Sequence, residues 1–511
     1  MASFILRRLA QSLLIFIAAT YLMYLLVAFS GDPLQDLREG NAPNKAALIA
    51  ARIDLLDLDV PPYLRYFIWL GGIFGLTGKG FGWLGVSVQN QPVNILLGQA
   101  ITSTLQLVTI AALVAIVLGL VVGITTALRQ YSAYDYGVTF LSFLFFSLPI
   151  FWVAVLLKQY LAIGFNDYLK DPQIPWWFIL IVSPIAGAIW SSIIPGSTKR
   201  RWMTFGIATL ATAGMLGYMQ LTDWFSNPHI GPVGIVISAV GVAFGVTALS
   251  VGLKRRRALN AALVTAAVGI GMYFLFMYVL SYFISEWLLL VLGIVAVGVS
   301  YAIGWFMGGD DRKPVARTTA ITGGVIAALT VLDRYMSVWY VYSNSGRIKG
   351  RPIATIGSQT PGLEGSMWVH GVDLFAHLLL PTIALILVSF ATYTRYSRAS
   401  LLEVMNQDYI RTARAKGLTE RTVVVRHAFR NALIPIATII AFDIGALVGG
   451  AVITERVFGW TGMGQLFQNG LDKVDPNPVM AFFLVVGGLA ILFNLLADLL
   501  YAALDPRIRV S

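Results

Sequence analysis

Long stretches of this chain carry no Asp, Glu, Lys or Arg. The charge-free runs are 9–31, 80–128, 136–157, 172–198, 202–222, 224–253, 258–285, 287–309, 374–394 and 476–497. Two more are interrupted, 318–342 by Asp333 and Arg334 and 431–454 by Asp443. A helix needs about 20 apolar residues to cross the hydrocarbon of a bilayer. Within 80–128 that length falls on Ile101–Leu128, so the chain offers twelve spans. The expected fold is all-α, a polytopic membrane protein with about 12 transmembrane helices.

Composition agrees. Hydrophobic residues make up 57% and charged residues 12%, about half the charge of a soluble domain. Such a chain is neither disordered nor fibrous. The 49 Gly and 20 Pro are compatible with membrane helices. With no Cys, the chain has no disulfide, thiolate zinc site or cysteine nucleophile. The first run follows Arg7-Arg8 but is too long for the apolar part of a signal peptide and lacks a small-x-small cleavage site. It is expected to remain as the first helix.

Lys and Arg in short loops orient such a protein, with the basic side cytoplasmic. With the N-terminus inside, the inner segments take Arg7, Arg8, Arg129, Lys199–Arg201, Lys254–Arg257, Arg312, Lys313, Arg317, the stretch from Arg395 to Arg430, Arg507 and Arg509. That is about two thirds of all basic residues, and the acidic residues show the opposite bias. Both termini are therefore expected in the cytoplasm. The net charge of +11 is accounted for by this bias and by contact with membrane lipid, with no need for nucleic acid.

The chain divides unevenly. Residues 31–100 form a long outer segment, with an amphipathic stretch at Ala46–Leu58 and an aromatic, Gly-rich one at Tyr63–Trp83. Ser343–Val372 is a second outer loop. Ser397–Asn431 is the one long inner loop. Leu402–Lys416 is rich in helix formers, Gly417 suits a left-handed helix end, and Thr419 can cap a second helix with Glu420 in its first turn. Arg426, His427 and Arg430 are expected near that second helix's C-terminus. A helix, a glycine turn and a helix held under the membrane make a knob for a partner's cleft. The same basic loop could also simply rest on anionic lipid.

Asp408-Tyr409-Ile410-Arg411-Thr412-Ala413-Arg414-Ala415-Lys416-Gly417-Leu418, followed by Arg426-His427-Ala428 and Asn431-Ala432-Leu433-Ile434-Pro435, resembles the cytoplasmic coupling loop of ABC importer permeases. It is most similar to the dipeptide and oligopeptide branch, which has Arg411-Thr412-Ala413 where the wider family has Glu-Ala-Ala. Phe4-Ile5-Leu6-Arg7-Arg8-Leu9, Gly31-Asp32-Pro33, Ser147-Leu148-Pro149, Glu455-Arg456-Val457-Phe458, Gly462-Met463-Gly464-Gln465-Leu466 and Leu504-Asp505-Pro506-Arg507-Ile508-Arg509 fit the same branch in order. The resemblance implies a six-helix type I permease core, built from 1–166 and 343–511, in a bacterial plasma membrane. It says nothing of 167–342, where six additional spans sit as an insertion. Entering and leaving on the outer side, they are expected to form a peripheral bundle.

The resemblance further implies a subunit that imports short peptides but is not itself an enzyme. A second homologous permease, two cytoplasmic ABC ATPases binding ATP and Mg, and an extracytoplasmic peptide-binding protein would complete it. On these grounds Asp408, Tyr409, Arg411, Thr412, Ala413, Arg414, Ala415, Lys416, Gly417 and Leu418 are the expected ATPase contacts. Glu455, Phe458, Gly462 and Gly464 are expected to face the binding protein. Asp443 is read as lining the pathway or bonding a neighbouring helix, and Asp498 as structural. No catalytic constellation, phosphate loop or metal spacing appears, and His229, His370, His377 and His427 are scattered. Two rival readings carry other signatures: a twelve-span secondary transporter should show related halves, and a membrane enzyme should gather carboxylates or His at one face.

Overall fold

The computed structural model describes residues 2–504 apart from 42, 79, 195, 283 and 284. Helix dominates, and the one β-type pairing among the described residues is a bridge between Val86 and Pro92. The protein is thus an all-α polytopic membrane protein. A helix stands at each of the twelve expected positions. The span count is lower: nine described helices are long and apolar enough to cross, or ten with one bent pair.

Two departures have visible causes. Thr198–Leu221 opens on Lys199, Arg200 and Arg201, and Thr204, Gly206, Thr209, Thr212, Gly214 and Gly217 dilute the remainder. The run 136–157 is not straight. Ala133–Ser147 stops at Leu148-Pro149, and the chain restarts at Ile150 with a bend of 103°. Proline has no N–H to continue the helical ladder and disfavours helix at the residue before it. Phe429–Gly450 is helical, although many of its side chains lie outside the described residues.

The chain forms two compact units. The first comprises 1–162, 355–358 and 377–511. Here the outer segment is folded: Lys45–Leu55 and Pro62–Ile73 are helices, and Gly75, Gly78, Gly80, Gly82 and Gly85 follow with positive φ. Helix Pro62–Ile73 buries Tyr66 and Trp69 against Tyr24, Leu97, Met480 and Phe482. The Tyr66 hydroxyl bonds that of Thr20 at 2.9 Å, so this polar end is not stranded in an apolar core. Deeper in the unit, Arg398 donates twice to the buried carboxylate of Asp135, at 2.8 and 2.9 Å. A two-point pair of this kind fixes orientation as well as charge.

The second unit comprises 163–354 and 359–376. It takes in all of 167–342 and adds the loop that follows and the first part of helix Met367–Met405. Trp176–Ile193 and Thr198–Leu221 form a hairpin in which Gly187 lies against Phe205 and Thr209. Gly231–Ser250, Arg256–Tyr282, Glu286–Met307 and Arg312–Ser337 pack as a bundle. Small residues set its close approaches, with Gly304 against Ala316 and Thr319 and Gly323 against Ser300. Asp333 and Arg334 do not pair with each other. Arg334 lies over the Trp368 ring, 5.9 Å from its centre.

Asp333 is buried and receives three donors. The N–H groups of Ile230 and Gly231 reach one oxygen at 2.6 and 3.0 Å, and the Tyr273 hydroxyl reaches the other at 2.7 Å. One carboxylate thereby satisfies the otherwise open start of helix Gly231–Ser250. Asp333→Ala leaves those donors buried and unpaired, at an expected cost of about 3 kcal/mol. Denaturation of the purified full-length chain should show a clearly lower midpoint for Asp333→Ala and a smaller fall for Asp333→Asn.

Candidate functional site

The segment 397–431 folds around a break that its helix-forming residues conceal. Helix Met367–Met405 ends, Asn406 and Gln407 turn, and a separate helix runs Asp408–Ala415. Leu402–Lys416 is therefore two helical pieces. Ile410 and Ala413, three residues apart on one face, are buried against Ala127, Leu401, Val423, Ala428 and Ala432. The opposite face is open: Asp408, Tyr409, Arg411, Thr412, Arg414, Ala415, Lys416, Gly417 and Leu418 are all exposed. The helix is a lever pinned by two small apolar contacts, with its polar side turned outward.

Gly417 ends that helix at φ +75°, with its N–H bonded to the Arg414 carbonyl at 2.9 Å. A Cβ there would meet nothing within 4 Å. The demand for glycine is thus one of backbone conformation alone. Across the turn, Arg414 donates to Glu420 at 2.7 and 3.2 Å and holds its carboxyl below the usual range. Both are well exposed, so the pair contributes no more than about 1 kcal/mol. Thr419 stands at the cap position without capping, and its hydroxyl instead pairs with that of Thr422 at 2.9 Å. The second helix does not end at Arg426, His427 and Arg430. It passes through a π-helical turn, Val423–Ala428, and continues as Phe429–Gly450. Those side chains therefore meet no helix C-terminus. Asn431 donates to the Tyr409 hydroxyl at 3.1 Å and ties the lever to this continuing helix.

A cleft of about 650 Å³ lies beside the turn, between Leu128, Leu402, Met405, Arg414, Val424 and Val425. Its floor is apolar and Arg414 and Glu420 stand among its lining residues. Asp443 is half-buried in Phe429–Gly450 beside Tyr393. The side chain of Asp498 and the ending 505–511 lie outside the described residues.

The outer corner corrects one expectation. Glu455, Phe458, Gly462 and Gly464 do not face outward; all four are buried. Glu455 accepts from the Thr104 hydroxyl at 2.6 Å and from the Gly464 N–H at 2.6 Å, and Thr104 accepts from the Met463 N–H at 2.8 Å. A Cβ at Gly462 would overlap Glu455 and Thr104, and one at Gly464 would overlap the Val452 backbone. These residues shape the corner from within. Trp460, also buried, donates to the Ser103 carbonyl at 3.1 Å. Thr104 and Trp460 were not singled out in the sequence. The one available signal was the polar triplet Thr102-Ser103-Thr104 in an otherwise apolar run.

Asp475 locks a neighbouring corner, accepting from the Val88 N–H at 2.7 Å, while Asn477 donates to the Val86 carbonyl at 2.8 Å. Burial pushes the Asp475 carboxyl up to about 6, against the pull of Val88, Asn477, Lys473 and Arg52.

Residues 320–510 match the family described as the binding-protein-dependent transport system inner membrane component. The chain is similar to the oligopeptide transport system permease protein OppB of Mycobacterium tuberculosis, 46% identical over 155 residues, 30% of this chain and 48% of that protein. It is similar to a putative peptide permease protein of Brucella suis, 45% identical over 171 residues, 34% of this chain and 52% of the other. It is also similar to the dipeptide transport system permease protein DppB of Escherichia coli, 39% identical over 177 residues, 34% and 52%. The chain spans about half the length of the curated relatives it matches. The resemblance to peptide permeases holds on these grounds.

Two outcomes follow from this geometry. An Asp whose folded value is raised stabilises most below its unfolded value of 3.8, and loses that contribution as pH rises through about 6. Wild-type stability should therefore decline over that window relative to Asp475→Asn, measured by melting temperature against pH. Thr104→Val strips the buried Glu455 of a donor and should cost about 2 kcal/mol, seen as a lower melting temperature, with Thr104→Ser retaining most of the stability.

Proposed function

We propose that this chain is the permease subunit of an ATP-driven importer of short peptides, one member of the dipeptide and oligopeptide branch of ABC importers. It sits in a bacterial plasma membrane with both termini in the cytoplasm. A second homologous permease completes the pathway, two cytoplasmic ATPases bind ATP and Mg, and an extracytoplasmic binding protein delivers the peptide. The chain is not an enzyme by itself. The observation that carries this reading is the lever Asp408–Ala415, anchored by Ile410 and Ala413 and open on its charged side, within the segment that matches the permease family.

The mechanism follows from that anchoring. Asp408, Tyr409, Arg411, Thr412, Arg414 and the turn Ala415–Leu418 dock in the ATPase, while Ile410 and Ala413 transmit its movement to the helices that end at Met405 and begin at Glu420. Closure of the ATPase dimer on ATP moves the levers together and shifts the permease toward an outward-facing state. The bias is the difference in ATPase binding between the two states. Glu455, Thr104 and Gly464 hold the outer corner so that neighbouring exposed groups such as Arg456 and Thr461 meet the binding protein. Asp443 lines the pathway or braces Tyr393. The inserted spans 167–342 take no part in coupling.

Two substitutions test this. Gly417→Val forces a branched residue into the left-handed region, at a cost of about 1–3 kcal/mol, with its Cβ in open space. Arg411→Glu with Arg414→Glu reverses the charge of the docking face. In the complex assembled with the products of neighbouring genes, either change should lower peptide uptake at least about tenfold, a loss of about 1.4 kcal/mol in coupling. Normal uptake at normal expression would remove the coupling assignment.

A further inference from the structure

The second unit carries a charged surface that peptide import does not use. The turn between helices Gly231–Ser250 and Arg256–Tyr282 holds Lys254 and Arg255, and Arg256 and Arg257 open the second helix. The turn before helix Arg312–Ser337 holds Asp310 and Asp311, Arg312 and Lys313 open that helix, and Arg317 follows one turn on. The two turns form one surface. Arg255 pairs with Asp311 at 2.9 Å. The Ser250 and Thr318 hydroxyls bond at 2.7 Å, and Val251 packs on Ala258, Ala261 and Val315.

This surface is organised rather than merely basic. Gly309 has φ +57°, and a Cβ there would overlap the Arg257 guanidinium. The missing side chain gives that guanidinium its seat. Arg312 Nε donates to the Gly309 carbonyl at 3.2 Å, which holds it beside the same loop. Among the described residues Asp311 neutralises Arg255, while Lys254, Arg256, Arg257, Arg312, Lys313 and Arg317 stay exposed. Just before the turns, Leu249 and Phe306 are exposed by 81% and 84%, and Leu253 is exposed within the first turn. Cations at the ends of membrane helices, flanked by bare apolar side chains, complement an anionic headgroup attached to acyl chains. Each basic residue at such a surface adds about 1 kcal/mol of attraction to anionic lipid.

We infer that the paired turns 251–257 and 308–317 form a binding site for anionic phospholipid, with Arg256, Arg257, Arg312 and Lys313 on the headgroup phosphate and Leu249, Leu253 and Phe306 along the acyl chains. The site belongs to the second unit and does not depend on the proposed transport activity.

The test titrates the full-length chain in detergent with short-chain phosphatidylglycerol and reads the melting temperature. A saturable rise is expected, with phosphatidylcholine and inorganic phosphate giving little. The fourfold variant R256Q/R257Q/R312Q/K313Q should need at least about tenfold more lipid to reach half the effect. K199Q/R200Q/R201Q, at a different turn, should match wild type. If the fourfold variant is not recovered, R256Q/K313Q gives the same comparison with a smaller shift. Equal effects of both lipids, an equal effect of phosphate alone, or an unchanged midpoint in the charge variants would each overturn the assignment.

Discussion

Hydrocarbon offers no hydrogen bonds, and the structure is organised around that deprivation. Long helices satisfy most of the backbone internally. The difficult places are where helices start, stop or bend. There the chain uses buried carboxylates: Asp333 at the start of Gly231–Ser250, Asp135 on Arg398, Glu455 on Thr104 and Gly464, and Asp475 on Val88. Asp135 has a charged partner, Asp333 and Glu455 each accept two or more donors, and Asp475 accepts the Val88 N–H on Oδ2 while its Oδ1 is buried with no hydrogen-bond partner among the described residues. A carboxylate so placed is costly to bury and costlier to remove, because its donors would be left unpaired.

The inner loop solves a different problem. It must be held firmly yet leave a face available. Two residues, Ile410 and Ala413, fix the lever against Ala127, Ala428 and Ala432. Everything charged on it is left to the surface. The internal ion pair Arg414–Glu420 is weak enough to be exchanged for contacts with a partner.

Much of this was legible in the sequence. Helix positions followed from gaps in the charge pattern, since a charge in lipid is penalised wherever it falls. Gly417 announced its turn because glycine enters the left-handed region without strain, and it did so at φ +75°. The break at Asn406-Gln407 was hidden by good helix formers on both sides, since local preference does not report where a long helix must stop. The 103° bend was present as Leu148-Pro149 yet masked by the length of the apolar run. The outer corner was misjudged for another reason. Glu455 and Gly464 look like loop residues, and the contact of Glu455 with Thr104, 351 positions earlier in the chain, is part of what buries this corner. Contacts of that separation leave no local trace.

The open space around Gly417 has one more consequence. With nothing within 4 Å of an L-Cβ, the obstacle to alanine there is handedness and not crowding of its Cβ. A left-handed backbone is uncomfortable for an L-residue because of its chirality, and a D-residue reverses that preference. A D-alanine placed there by semisynthesis would find the positive φ as comfortable as glycine does and would also narrow the freedom of the unfolded loop. The turn is in this sense a chiral element: its backbone conformation favours a side chain of the opposite hand.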